Sequence, residues 1–320
     1  MLNKNILISG AGQLGSRYLQ GLSKCQNPLN IYVHDLSSDS LKLAEDRWGE
    51  ANEKEIKHSV RYLTDLNEIP KSIHLAIVSS TSTQRPNQIA EIKANAIVEN
   101  WILEKVLAQS LAGLNLIETT LGRGANAWVN TPLRNIPWYR SIKNSLKTVP
   151  PLDIVLESGP WGLACNAIHF IDLVVWFTNE KLIKLHTSAL EAQWQPAKRN
   201  GYWEVFGTLI AEYSGGSKLV LTSFEEGEKT ILINISDNID EWTINEETGI
   251  ARSKKGNEIL GRLPFQSEMT GALVDEILNT GKCNLCPLID SIRMHEILLI
   301  ALLEHWQINM DPDAKVLPIT

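Results

Sequence analysis

Residues 5–35 leave this chain the fewest choices of fold. Asn5-Ile6-Leu7-Ile8-Ser9 is an apolar run of strand length, and Gly10-Ala11-Gly12-Gln13-Leu14-Gly15 follows it at once. Apolar residues then recur at helical spacing (Leu14, Tyr18, Leu19, Leu22), and a second strand, 30–34, ends in Asp35. Strand, G-x-G-x-x-G, helix, strand and acid together form the context of a dinucleotide-binding βαβ unit. The three glycines meet different steric needs. Gly10 makes the tight turn, Gly12 lets pyrophosphate approach, and Gly15 lets the helix sit close to the strand. Gln13 and Leu14 open the helix, whose free N–H groups and positive dipole end suit phosphates. Asp35 stands 20 residues after Gly15. A carboxylate there accepts from the ribose hydroxyls and repels a 2′-phosphate. No arginine follows in Leu36-Ser37-Ser38, so the expected cofactor is NAD rather than NADP.

The alternation continues through the first 125 residues. Helical spacing occupies 38–48, 85–95 and 107–120, and strand-like runs occupy 60–63, 73–78, 96–103 and 126–130. The run 73–78 is nearly all apolar, as in strands buried on both faces of a parallel sheet. It opens into Ser79 and Ser80 of a polar loop, at the strand end where such sheets bind ligands. The pattern then changes. A helix at 138–146, a strand at 153–157 and a helix at 165–177 precede strands at 184–192, 204–213, 218–224, 230–235 and 241–244. Helices at 266–279 and 287–306 follow. The expected fold class is α/β: an N-terminal Rossmann, doubly wound parallel sheet over 1–125. An α+β domain over 126–320, with a large open mixed or antiparallel sheet, then carries substrate binding and oligomerisation.

Composition narrows the partners. A net charge of −7 argues against a nucleic-acid footprint, and no 18-residue apolar run exists to span a membrane. The N-terminus runs straight into a strand without the regions of a secretory signal, and four cysteines are too few for a disulfide framework. A cytoplasmic location is expected.

The ordered motifs resemble those of the Gfo/Idh/MocA oxidoreductases, the glucose–fructose oxidoreductase and inositol dehydrogenase superfamily. Besides the glycine loop with Asp35, Ile102-Leu103-Glu104-Lys105-Val106 stands in place of the family's E-K-P. Asn130-Thr131-Pro132-Leu133-Arg134-Asn135-Ile136-Pro137 is similar to the segment that follows it. Gly162-Leu163-Ala164-Cys165-Asn166-Ala167-Ile168-His169-Phe170-Ile171-Asp172 matches the family's G-x-x-x-D-x-G-x-H-x-x-D block at the histidine and final aspartate. The likeness spans nearly the whole chain. It implies hydride exchange between a nicotinamide and a hydroxyl-bearing carbon of a sugar, nucleotide sugar or cyclitol. It implies Lys105 and His169 as catalytic residues and Glu104 as a cofactor contact. Asn130, Arg134, Cys165, Asn166 and Asp172 would surround the substrate, with Tyr139 a further contact. The chemistry agrees: hydride leaves carbon only as the adjacent hydroxyl loses its proton, which needs a base within hydrogen-bond reach. A lysine beside that oxygen stabilises its developing charge.

Three departures stand out. Val106 replaces the family proline, Cys165 its catalytic aspartate and Ala167 its glycine. Positions 165 and 169 share a helix face, but a thiol cannot replace a carboxylate electrostatically. Two other readings therefore stay open: a non-catalytic cofactor-binding sensor, and a redox-assisted glycosidase or epimerase. Cys283 and Cys286 have C-x-x-C spacing without a second pair, so no metal is expected. Trp161, Trp194 and Trp203 are either sugar-stacking faces or core. A homodimer or homotetramer is expected through the C-terminal sheet.

Overall fold

The computed structural model describes residues 3–51, 58–146, 151–237 and 239–320. Met1 and Leu2, on which part of the leader reading rests, lie outside them. By compactness the chain forms two units. Unit 1 comprises Met1–Ala108, Ala112–Asn130 and Pro264–Ile289, and unit 2 comprises Gln109–Leu111, Thr131–Leu263 and Asp290–Thr320.

In unit 1, β1 (Lys4–Ser9), α1 (Gln13–Leu22), β2 (Leu29–His34), α2 (Ser38–Ala51), β3 (Ser59–Leu63) and β4 (Ser72–Val78) come first. Then follow α3 (Arg85–Asn95), β5 (Ile97–Leu103), α4 (Leu111–Leu121) and β6 (Asn126–Val129). The sheet runs β3-β2-β1-β4-β5-β6, all parallel. Strand order reverses between β1 and β4, so their C-terminal ends frame the crevice where doubly wound sheets take ligands. Ile6, Ile8, Leu75, Ile77 and Ile102 form one core with Tyr18, Leu19 and Leu22 of α1. Their near-complete burial is what keeps these strands apolar almost throughout.

The sequence pattern places helix 266–279 on the far side of a break at 125. The structure instead puts α7 (Gln266–Thr280) in unit 1, against α1, with Leu273, Val274 and Ile277 in the same core. Two glycines permit the approach. A Cβ on Gly21 would lie 2.6 Å from Thr270, and one on Gly271 would lie 3.1 Å from the Gly21 carbonyl. A two-residue strand, β15 (Cys286–Pro287), pairs antiparallel with β6 at the sheet edge. The helix expected at 107–120 begins only at Leu111. Leu107 and Ala108 are buried in a loop, which is why their apolar character reads as helix.

Unit 2 is built on α5 (Pro137–Ser145), β7 (Asp153–Ser158), α6 (Leu163–Thr178), β8 (Leu182–Pro196), β9 (Trp203–Tyr213) and β10 (Lys218–Ser223). The rest is β11 (Leu232–Ser236), β12 (Glu241–Asn245), β13 (Ile250–Ser253), β14 (Glu258–Leu260) and most of α8 (Leu288–Asn309). The eight strands form one sheet, β14-β13-β12-β11-β7-β10-β9-β8, antiparallel except for β7 with β10. Helix α6 packs on β9 and β10. Ile154, Leu156, Leu209, Ala211, Leu219 and Leu221 are all buried, and alternate with half-buried Val155, Ile210 and Val220. That period of two is the signature of a sheet covered on one face. Strands β13 and β14 lie beyond the last strand expected from the sequence, 241–244.

Candidate active site

The glycine loop is set by backbone contacts. Gly10 has φ +97°, donates its N–H to the His34 carbonyl at 2.8 Å, and leaves no room for a side chain. A Cβ there would lie 2.6 Å from the Ser80 nitrogen. Gly15 is tighter still, since its Cβ would fall 1.8 Å from the Gly10 carbonyl. Gly12 differs: a Cβ there would meet nothing within 4 Å. Helix α1 starts beside that open space with no side chain capping it. Uncapped N–H groups with free volume in front of them are what a pyrophosphate requires. Ser79 closes the floor by donating its hydroxyl to the Gly10 carbonyl at 2.6 Å. Leu14 is exposed, and the exposed Gln13 accepts from Arg47 at 2.5 Å through its side chain.

Asp35 lies at the end of β2. Its Oδ2 accepts from the Ala11 N–H at 2.7 Å and its Oδ1 from the Ser37 N–H at 2.9 Å. The carboxylate thereby braces the loop, and each oxygen retains lone-pair capacity for a ribose hydroxyl. Loop, uncapped helix and acid fit a dinucleotide.

Behind the loop lies a buried polar network. Glu104 follows β5 and is fully enclosed. Its Oε1 accepts from the Tyr18 hydroxyl at 2.5 Å and from the Asn130 amide at 2.7 Å. Asn130 also donates to Gln266 of α7 at 3.0 Å. Burial pushes the Glu104 carboxyl above its ordinary range, while these two donors and the charges of Arg85 and Lys105 pull it back. Buried Arg85 donates to the carbonyls of Ser80 and Val106, so one guanidinium ties the ends of β4 and β5. Half-buried Lys105 stands at that strand end, and the Lys105–Val106 peptide is cis. In this network Glu104 and Asn130 are internal struts. The sequence does not single out Tyr18 or Arg85, because Tyr18 meets Glu104 from 86 residues away and Arg85 reaches Val106 across 21 residues.

In unit 2 the residues of α6 divide by function. Asp172 is buried, and accepts from Thr131 at 2.7 Å and from Arg134 through both oxygens. The Asn166 amide closes the turn before the helix by donating to the Trp161 carbonyl at 2.8 Å. Arg134, Asp172 and Asn166 are thus engaged within the protein. Cys165 and His169 lie one turn apart, both half-buried. Glu204 of β9, which the sequence does not flag, caps α6 by accepting from the Ala164 N–H at 2.8 Å. No local motif announces a cap supplied from 40 residues away. Tyr139 donates its hydroxyl to Glu246 at 2.5 Å, which makes it another internal contact. Of the three tryptophans, Trp161 and Trp194 are core, bonded to the Thr222 carbonyl and to His305, and Trp203 stays half-buried.

Among the described residues, no group of three His, Cys, Asp or Glu could hold a metal, and no helix is long and apolar enough to cross a membrane.

No family model and no curated protein matches the sequence. Solved structures do match. The scyllo-inositol dehydrogenase of Lactobacillus casei superimposes with a TM-score of 0.70 at 16% identity, covering 96% of this chain and 97% of that one. The myo-inositol 2-dehydrogenase of Lactobacillus plantarum gives 0.69 at 15% identity over the whole of both chains. The UDP-N-acetylglucosamine 3-dehydrogenase of Acidithiobacillus ferrooxidans gives 0.69 at 11% identity, covering 95% and 98%. The fold is that of the Gfo/Idh/MocA-type dehydrogenases.

Proposed function

We propose that the protein is an NAD-dependent oxidoreductase acting on a hydroxyl or keto carbon of a sugar, nucleotide sugar or cyclitol. The observation that carries this reading is the loop at the β1/β4 crevice. Gly10 is closed by the backbone of Ser79 and Ser80, and Gly15 by the Gly10 carbonyl, whereas Gly12 and the uncapped α1 face open space. Gly12, Gln13 and Leu14 would hold the pyrophosphate, Asp35 the adenosine ribose, and Ser79 and Ser80 the far side of the crevice. The cofactor supplies hydride acceptance and donation. The chain supplies proton handling. His169 takes the hydroxyl proton on its imidazole, and the Lys105 ammonium polarises the oxygen that loses it.

The test is absorbance of the reduced nicotinamide, using purified protein, NAD and a panel of sugars and cyclitols. Lys105→Ala and His169→Ala should each lower turnover by about 10² or more, with NAD affinity nearly unchanged. A second reading draws on Cys165, which brings no carboxylate to the face of α6 that carries His169. On that reading the chain is a sensor, and tight NAD binding with no turnover on any substrate would establish it.

A further inference from the structure

Unit 2 holds a cavity of about 400 Å³ at the start of α6, between the end of β8 and the start of β9. That lies within the range of small-molecule sites. Cys165 lines it, one helical turn before His169. Its walls combine three kinds of group. Tyr202, Trp203 and Phe206 are only half-buried and offer aromatic surface. Glu204 is held in place by the Ala164 N–H. Its Oε1 would lie 3.3 Å from a Cβ on Gly162, so the glycine keeps this corner open. Lys198, Arg199 and Lys229 are exposed at the rim, giving three cations against one acidic side chain. The Arg199 guanidinium lies 6.0 Å from the Tyr202 ring centre.

These groups suit different parts of one ligand. Aromatic faces pack against the C–H face of a saturated ring. A carboxylate accepts from ring hydroxyls. Clustered lysine and arginine pair with a phosphate or carboxylate, with charge-assisted hydrogen bonds. We infer that this pocket binds a pyranose-type ring bearing an anionic group. Glu204 holds the hydroxyls and Lys198, Arg199 and Lys229 hold the anion. A neutral cyclitol would leave the three cations unused. The inference rests on the proposed sugar chemistry, and narrows it to anionic sugars.

Calorimetry and tryptophan fluorescence on the full chain test it, with glucose, glucose 6-phosphate, glucuronate and inorganic phosphate as probes. Both anionic sugars should bind at least about 10-fold more tightly than glucose, and weaken as salt is raised. A gain confined to glucose 6-phosphate, or to glucuronate, would assign the anion to phosphate, or to carboxylate. The double variant Lys198→Ala/Arg199→Ala changes only exposed side chains. It should cut anionic-sugar affinity by about 10-fold or more and leave glucose unaffected. Glucose binding as tightly as the anionic sugars, inorganic phosphate binding as tightly as glucose 6-phosphate, or no effect of the double variant would each overturn the inference. So would no binding of any probe up to about 10 mM. Turnover is read separately. Neutral sugars oxidised without anionic-sugar binding would sink this inference alone, and anionic-sugar binding without turnover would sink the dehydrogenase reading alone.

Discussion

Arg134 grips Asp172 through both carboxylate oxygens, with Nε donating to Oδ2 at 2.9 Å and a terminal nitrogen donating to Oδ1. The Asp172 side chain is 1% exposed and that of Arg134 11%. Removing one partner leaves a buried charge unpaired, which costs about 3–5 kcal/mol. Asp172→Ala and Arg134→Ala should each destabilise by that order in urea unfolding, and the double variant by clearly less than their sum. Full stability in either single variant would remove the structural role assigned here.

Gly12 and Gly15 should separate binding from folding. Gly12→Val adds a side chain to open space, so its melting temperature should match the wild type while NAD affinity falls at least about 10-fold. Gly15→Val drives a Cβ into the Gly10 carbonyl. It should lower the melting temperature outright. Unchanged NAD affinity in Gly12→Val would show that the space over Gly12 is not a ligand site.

Cofactor choice rests on Asp35, and the variant matters. Its carboxylate also accepts from Ala11 and Ser37 N–H groups. Asp35→Ala would therefore unbrace the loop, whereas Asp35→Asn keeps an acceptor and removes the charge. Asp35→Asn should weaken NAD and relax discrimination against NADP, measured by titration of both. A wild type that binds NADP more tightly would overturn the assignment.

Buried histidines and buried carboxyls should push stability in opposite directions as pH changes. Burial lowers the pKa values of His58 and His305 below the ordinary range near about 6.5. Each also accepts through Nδ1, His58 from the Leu29 N–H and His305 from the Trp194 indole. As pH falls below the unfolded value, the unfolded chain takes up protons that the folded chain resists, so stability is lost. Glu104 and Glu246 act with the opposite sign. Burial raises both, so stability is lost as pH rises from the ordinary carboxyl range through their folded values. Urea midpoints across pH should separate the two contributions in variants. His58→Gln should reduce the loss on going to acid, and Glu246→Gln the loss as pH rises from the carboxyl range. A loss on going to acid that persists undiminished in His58→Gln/His305→Gln would refute the assignment.

The face of the large sheet opposite α6 carries Ile210, Val220 and Val155 in register across β9, β10 and β7, all half-buried in the single chain. Apolar rows of this kind call for cover. We propose that a second copy supplies it. Light scattering should give a dimer or tetramer, and Val220→Lys should shift it towards monomer. A wild-type monomer at micromolar concentration would remove the basis for the proposal.

What can be read from the sequence is local. β1, the glycine loop, α1 and Asp35 lie within 35 residues, and each constrains the next. The entire α6 block is likewise contiguous, and its helix runs through Cys165 and His169 as expected. Contacts between distant residues are not legible. Glu204 capping α6, Arg85 joining two strand ends and Tyr18 reaching Glu104 leave no periodic trace, because each contributes one side chain from an unrelated position. The helix expected at 107–120 overruns its true start because buried loop residues look like helix residues when only hydrophobicity is read. Trp161 and Trp194 show the converse, since aromatic residues in an expected binding region fill the core instead.

The return of α7 and β15 to unit 1 fixes an order of events during synthesis. The groove on α1 and the edge of β6 are complete in sequence by residue 130, but the segment that covers them ends only at residue 289. At about 5–20 residues per second, that interval lasts roughly 8–30 s. Throughout it, the nascent nucleotide-binding half displays Gly21, Lys24 and Cys25 without their α7 partners. A fragment ending near residue 130 would hold that exposed state permanently, with glycine loop and Asp35 both present. Such a fragment should be more prone than the full chain to misfold or be captured by a chaperone.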